Sequence, residues 1–316
     1  MPRSVIIGGA GFIASHLADE LIRNGHEVVL FFRRNQSLRN ITHLSKNATF
    51  AHGDFTTGEG IKDALKGADF VFHLAISSLP GKSLNPSRDA TENILGSIGI
   101  MDYCVLEGIK KLIFISSGGA VYGATEEIQI SEDHPTIPIS SYGACKLAVE
   151  KFLEVYRHTF GLDYSVLRVS NPYGERHNPL RGHGLIGVLL HRIKTNQNIE
   201  IWGNGEAVRD YIYVKDVAKA LRLASEINSE QNIFNIGSSR GYSINDIIKI
   251  IHEVTSAEIS VDYVGPRDFD VPSNILNSKK AKIFLGWQAE TELRDGIDIT
   301  WKWMNGLSED FFIRET

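Results

Sequence analysis

Arg3-Ser4-Val5-Ile6-Ile7-Gly8-Gly9-Ala10-Gly11-Phe12-Ile13-Ala14-Ser15-His16-Leu17 is the stretch that decides the fold. A short apolar run stops at a glycine-rich turn, and Phe12, Ile13, His16, Leu17, Leu21 and Ile22 then recur at helical spacing. The segment reads as strand, turn, helix. Gly8 permits the tight turn and Gly11 lets a diphosphate approach the backbone. A helix opening at Phe12 and Ile13 offers unpaired N–H donors and the positive end of its dipole. Ala14 stands where a third glycine often packs helix on strand, a place that a single methyl can still fill. Taken alone, the turn serves equally as a dinucleotide cradle or as an ordinary tight connection.

The pattern then repeats. Residues 27–32, 49–55, 69–75 and 111–117 read as further strands, with helical patterns between them, and such alternation makes an α/β fold with a doubly wound parallel (Rossmann) sheet. Ligands of such sheets lie beyond the strand carboxyl ends. There the sequence collects the glycine turn, Asp54 and Phe55, Leu74 and Ala75, and Ser116 and Ser117. No acid follows the second strand to take the adenosine ribose hydroxyls; Arg33 and Arg34 stand there instead. Arginine at that place suits a 2′-phosphate and hence NADP. The alternative is that both arginines are solvated and NAD is held by other contacts.

Chemistry is concentrated in Ser140-Ser141-Tyr142-Gly143-Ala144-Cys145-Lys146, which opens a helix running to about Phe160. Residues four apart share a helix face, so the Lys146 ammonium can sit beside the Tyr142 hydroxyl. A free tyrosine titrates near ~10, and a neighbouring cation favours its phenolate. By itself, Tyr-x-x-x-Lys is as well read as a half-buried aromatic beside a solvated lysine. With a Ser117 hydroxyl and a bound nicotinamide, the pair becomes the set needed to move a hydride and a proton at one carbinol carbon.

Composition excludes several classes. Hydrophobic residues are 42% and charged residues 22% of 316, which is globular rather than disordered. The net charge of −5 offers no basic field, so no nucleic-acid partner is expected. Cys104 and Cys145 cannot make a disulfide framework, no Cys/His cluster has zinc-ligand spacing, and no metal is expected. No charged segment with a cleavable apolar run opens the chain, and no stretch reaches ~18 apolar residues. The expectation is a soluble cytoplasmic protein without a membrane partner.

These residues resemble the extended short-chain dehydrogenase/reductase superfamily, in its NAD-dependent nucleotide-sugar epimerase/dehydratase branch. The resemblance runs through the glycine turn, His73-Leu74-Ala75, Asn93-Ile94-Leu95-Gly96, Ser116-Ser117-Gly118-Gly119-Ala120-Val121-Tyr122-Gly123 and Ser141-Tyr142-Gly143-Ala144-Cys145-Lys146. It continues through Arg168-Val169-Ser170-Asn171-Pro172-Tyr173-Gly174, Arg209-Asp210-Tyr211-Ile212-Tyr213-Val214 and Leu285-Gly286-Trp287. It implies Tyr142 as acid/base, with Lys146 as its electrostatic partner touching the nicotinamide ribose. The cofactor would further meet Gly8, Gly11, Phe12, Ile13, Arg33, Asp54 at the adenine, Phe55, Leu74, Ala75, Asn93 and Ser116. A nucleotide sugar would meet Ser117, Tyr142, Asn171 and Asp270, with Leu185, Ile201 and Trp202 as the base pocket and Arg209 with Arg267 on the diphosphate. Asn274 lies where related enzymes limit the sugar C2 substituent. The family's assisting hydroxyl usually stands at the position of Gly118, so Ser117, with Ser116 behind it, is the best remaining donor.

The implied activity is epimerisation of a UDP-hexose at C4, of the UDP-glucose/UDP-galactose type, through a 4-keto intermediate with tightly held NAD. Gly118-Gly119-Ala120 offers no carboxylate for dehydration. The alternatives are an NADPH-dependent reductase of a nucleotide-linked 4-keto-6-deoxy sugar, favoured by Arg33 and Arg34, and a non-catalytic dinucleotide sensor. Past Asn171 the alternation loosens. The expected division is a dinucleotide-binding domain of residues 1–170 plus 213–237 and a smaller, interleaved α/β substrate domain of residues 171–212 plus 238–316. The family also implies a homodimer through helices near 89–107 and 141–160.

Overall fold

The computed structural model describes residues 1–77, 85–125, 127–227, 229–265 and 271–312. Its central sheet takes β1 (Arg3–Ile7), β2 (Glu27–Phe32), β3 (Ala48–His52), β4 (Phe70–His73), β5 (Lys111–Ser117) and β6 (Tyr164–Val169), and adds the strand Ile233–Ile236 beyond β6. The order is Ile233–Ile236, β6, β5, β4, β1, β2, β3, with every pairing parallel. The chain moves outward from β1 through β2 to β3 and then returns to β4 on the other side of β1. That reversal leaves a crevice at the carboxyl ends of β1 and β4, where such sheets bind ligands.

The strands read as unbroken apolar runs because both faces are covered. On one face the helices Phe12–Arg23 and Val214–Glu226 set Leu17, Leu21, Val217 and Leu221 against Ile6, Leu30 and Phe72. On the other, Met101, Cys104, Val149 and Leu153 from the helices Gly96–Leu106 and Ser141–Phe160 pack on Val5, Val71 and Phe114. Each fully buried Leu or Phe contributes about 1.5–3 kcal/mol relative to exposure.

The helix Ser141–Phe160 is punctuated by its own residues. The Ser140 hydroxyl accepts the Gly143 N–H at 3.1 Å, and Gly161, at φ +72°, ends the helix left-handed. This fixes Tyr142 in the first turn, at the sheet edge that carries the crevice.

A third core forms around the strand Val208–Tyr213, which pairs with Gly241–Ser243, Ser273–Asn274 and Asn171–Tyr173. The helices Leu185–Lys194, Ile244–Thr255 and Leu293–Asn305 cover it with Leu190, Ile247, Ile251 and Ile297. A separate parallel pair joins Ile199–Trp202 to Val261–Val264.

Two strands are shorter than the sequence suggests, and β4 spans Phe70–His73 rather than 69–75. β3 ends at His52, and Asp54 lies in a turn closed by its bridge to Glu59. Gly53 enforces the turn, since a Cβ there would fall 2.0 Å from the Glu59 carbonyl.

Candidate active site

The glycine turn is built as a cradle. Gly8 adopts φ +88°, and a Cβ on it would sit 2.9 Å from the Ala75 nitrogen. The Gly8 and Gly9 N–H groups both donate to the Phe31 carbonyl, which pins the turn to β2. Gly11 caps the helix Phe12–Arg23, whose first turn holds no acid, so the donors at Phe12 and Ile13 face an uncompensated positive pole. The Phe12 ring turns away to pack on His16 and His177, leaving its backbone for the crevice. A cavity of about 780 Å³ opens there, lined among others by Gly8, Gly11, Arg33, Phe55, Leu74 and Ala75. A close backbone approach, a bare helix N-terminus and apolar walls fit a dinucleotide.

Asn93 is buried behind Ser77, which lines the cavity. Its Oδ1 accepts from Ser77 N at 2.9 Å and Ser77 Oγ at 3.1 Å, and its Nδ2 donates to the Asp89 carbonyl at 3.0 Å. It thereby holds the loop after β4 beside the cavity. Arg33 and Asp54 pair with each other: Arg33 Nε lies 2.9 Å from Asp54 Oδ2, and Nη2 donates to Oδ1 at 3.2 Å. Thr56 N and Oγ1 also donate to Asp54 Oδ1. Of the two arginines after β2, Arg33 is therefore paired with an acid, which weakens the case that its charge is reserved for a 2′-phosphate.

The reacting groups gather at the end of β5. Tyr142 is half-buried, and Ser117 at the end of β5 is near enough to act on its phenol. Burial pushes the Tyr142 phenol up to about 12, with the Ser117 contact opposing the rise. Lys146 is buried; its Nζ donates to the Ile115 carbonyl at 2.8 Å and lies 5.9 Å from the centroid of the Tyr142 ring. Burial pulls the lysine down to about 7, and Glu150 raises it in turn. Lys146 thus places a titratable ammonium close to the Tyr142 ring. Ser116 does not join this group. Its hydroxyl donates to the buried Glu150 carboxylate at 2.5 Å, so of the two serines it is Ser117 that reaches the tyrosine.

Gly118 explains the missing hydroxyl. A Cβ at that position would lie 2.4 Å from Leu276 Cδ1, so the buried Leu276 fills the space a side chain there would need. Asn274 is buried beside it, with Nδ2 donating to the Gly118 carbonyl at 3.3 Å.

The second-half residues divide. Asn171 Nδ2 donates to the Asp210 carbonyl at 2.9 Å, and Arg209, half-buried on the same strand as Asp210, donates through Nη1 to the Val208 carbonyl at 2.8 Å. Leu185 opens the helix Leu185–Lys194 and packs on the third core, of which Ile201 is a buried member. Trp202, 45% exposed, points to the opposite face of its strand. Ile201 and Trp202 thus present their side chains to opposite faces of the strand, and Leu185 lies with Ile201 on the third core. Arg267 and Asp270 lie outside the described residues. Sequence reasoning passed over Glu150 and Arg168, although Glu150 repeats the spacing of four after Tyr142 and Lys146. Among the described residues no group of three or more His, Cys, Asp or Glu could hold a metal.

The model of the NAD dependent epimerase/dehydratase family matches residues 4–237. The chain belongs to that family. It is 35% identical over 302 residues to a putative UDP-glucose 4-epimerase of Methanocaldococcus jannaschii, across 95% of this chain and 97% of the relative. Among solved structures it resembles the UDP-glucose 4-epimerase of Thermotoga maritima with UDP-glucose, at TM-score 0.90 and 36% identity over 96% of this chain and 98% of that one. It also resembles the Thermus thermophilus UDP-glucose 4-epimerase in complex with NAD, at TM-score 0.88 and 30% identity over 97% and 100%. NAD is the cofactor of the family, and the cradle of Gly8 and Gly11 fits it.

Proposed function

We propose that the chain is a nucleotide-sugar 4-epimerase that interconverts UDP-hexoses of the glucose and galactose type. The observation that carries this is the convergence of Ser117, Tyr142 and Lys146 at the carboxyl end of β5, beside the dinucleotide cradle. NAD, when bound, supplies a reversible hydride acceptor. The Tyr142 oxygen takes the proton of the sugar 4-hydroxyl, and Ser117 orients that hydroxyl. Lys146, in its ammonium form, offsets the cost of a phenolate whose burial otherwise opposes ionisation. Arg209, with Arg267 expected from the sequence, holds the diphosphate while the 4-keto sugar turns its other face. Tyr142 then returns the proton. Gly118-Gly119-Ala120 supplies no second carboxylate, which disfavours dehydration.

The cofactor is assigned to residues 1–170 plus 213–237 and the nucleotide sugar to residues 171–212 plus 238–316. A homodimer is proposed through the helices Gly96–Leu106 and Ser141–Phe160, whose outer faces leave Leu106 64%, Val155 51% and Phe160 56% exposed. Among the described residues no helix is long and apolar enough to cross a membrane, and the cytoplasm is the proposed compartment. The pairing of Arg33 with Asp54 removes one of the two arginines that favour the reductase reading.

The test is incubation with UDP-galactose in deuterated water. The epimerase yields UDP-glucose with no deuterium at C4, because the hydride removed is the one returned. Deuterium at C4, or no product, refutes the reading.

A further inference from the structure

The end of β5 docks three successive turns of the helix Ser141–Phe160. Ser117 stands near Tyr142, the Ile115 carbonyl accepts Lys146 Nζ, and the Ser116 hydroxyl donates to Glu150. Tyr142, Lys146 and Glu150 are spaced by four and so share one face. Two of them belong to the proposed acid/base pair. The third has no part in it, yet its carboxylate is the most heavily bonded group nearby.

Glu150 is 2% exposed. Arg168 of β6 donates to it through Nη2 at 2.6 Å and through Nε at 3.2 Å to both oxygens. Arg168 Nη1 donates to the Tyr122 hydroxyl at 2.9 Å, and that hydroxyl donates to Asn235 Oδ1 at 2.7 Å. The carboxylate is thus tied to β5, β6 and, through Tyr122, the strand Ile233–Ile236. Buried ion pairs are often replaceable by apolar residues without loss of stability, so stability alone does not account for one here. What the pair does is fix a negative charge one helical turn behind Lys146.

We propose that Glu150 is a positioning residue of the active site: anchored by Arg168 and Ser116, it holds the Tyr142 face of the helix in register on β5 and supplies the counter-charge for the Lys146 ammonium. This rests on the epimerase reading only for the roles given to Tyr142 and Lys146. The other groups facing Lys146 do not compete. From its own helix, Cys145 is a buried thiol held above its usual range. From β4, burial holds His73 at about 3, so it is neutral. β5 contributes the Phe114 ring, 4.6 Å from Nζ, and the Ile115 carbonyl. Arg168 of β6 lies behind Glu150, bound to its carboxylate.

Glu150→Gln alone strands the Arg168 charge in the core and endangers folding. Two variants avoid this: Glu150→Gln with Arg168→Met, which removes both charges, and Glu150→Asp, which keeps the pair but withdraws the carboxylate by one methylene. Lys146 is titrated by lysine-selective NMR, with its resonance assigned by Lys146→Arg, and the pH profile of kcat is recorded beside KM. In the double variant Lys146 titrates about one pH unit lower, the scale of a lost opposite charge, and the alkaline limb of kcat moves with it while KM holds within about twofold. Glu150→Asp gives a smaller shift in the same direction. Folded variants in which Lys146 titrates as in the native protein, or in which kcat falls without any pH shift, overturn the proposal and leave Glu150 a structural prop. A Lys146 shift in a protein that turns over no UDP-sugar supports the positioning role and refutes the epimerase reading instead.

Discussion

Gly118→Ser would return a side chain to the place that Leu276 occupies, and its cost can be worked from the packing. The new Cβ would lie 2.4 Å from Leu276 Cδ1 and 2.8 Å from Cδ2, the first about 1 Å or more inside an ordinary carbon contact. Leu276 is fully buried against Val121, Tyr122 and Ile130, so it cannot swing into solvent. Overpacking of this kind costs about 1–3 kcal/mol. Gly118 begins the short helix Gly118–Val121, and replacing a helical glycine returns about 0.5 kcal/mol, which leaves a net loss of about 0.5–2.5 kcal/mol. Leu276→Ala alone leaves a cavity and costs about 2–5 kcal/mol. Together the two changes compensate, since the serine enters the space the leucine vacates. The double variant is then more stable than the sum of the singles by at least about 1 kcal/mol. Urea unfolding, followed by the fluorescence of the buried Trp287 and by circular dichroism, measures all three. Additivity within about 0.5 kcal/mol would refute the claim that Leu276 is what excludes a side chain at 118.

Tyr142→Phe removes the proton carrier and lowers kcat by about 10²–10⁴, with dinucleotide retention unchanged, as steady-state rates and the absorbance of the purified protein will show. Arg209→Ala removes a charge-assisted contact worth about 1.5–3 kcal/mol and raises KM for UDP-galactose roughly 10–100-fold, with a smaller effect on kcat. Burial holds His16 at about 4 and His73 and His177 at about 3, below the usual 6.5. The unfolded chain therefore binds protons first, and stability is lost as pH falls below 6.5, by about 2 kcal/mol per histidine at pH 5. Asp210, raised to about 6 by burial, works the other way: its contribution is present below about pH 4 and lost as pH rises through 6. The histidines outnumber it, so urea midpoints should fall between pH 6.5 and 5; a flat profile contradicts the neutral, buried assignment.

What the sequence disclosed was local. The glycine turn and the Tyr142–Lys146 spacing are each complete within a few residues, and the backbone rules of turn and helix place them without reference to the rest of the chain. The third strand ends before Gly53 and Asp54, and the close approach of the Glu59 carbonyl to Gly53, a tertiary contact, is what fixes the turn there. The pairing of Arg33 with Asp54 joins two strand ends, and a linear reading gives each residue a separate ligand. The opposite faces of Ile201 and Trp202, by contrast, follow from alternation along a strand and were legible in the sequence. Leu276 beside Gly118, and Arg168 on Glu150, are products of folding, and no spacing announces them.

The most direct measurement is to denature the purified protein, identify the released nucleotide by mass spectrometry, and incubate fresh protein with UDP-galactose without added cofactor. The account predicts NAD near one per chain and the appearance of UDP-glucose. A chain that releases no dinucleotide and turns over only when NADPH and a 4-keto sugar nucleotide are supplied would contradict it.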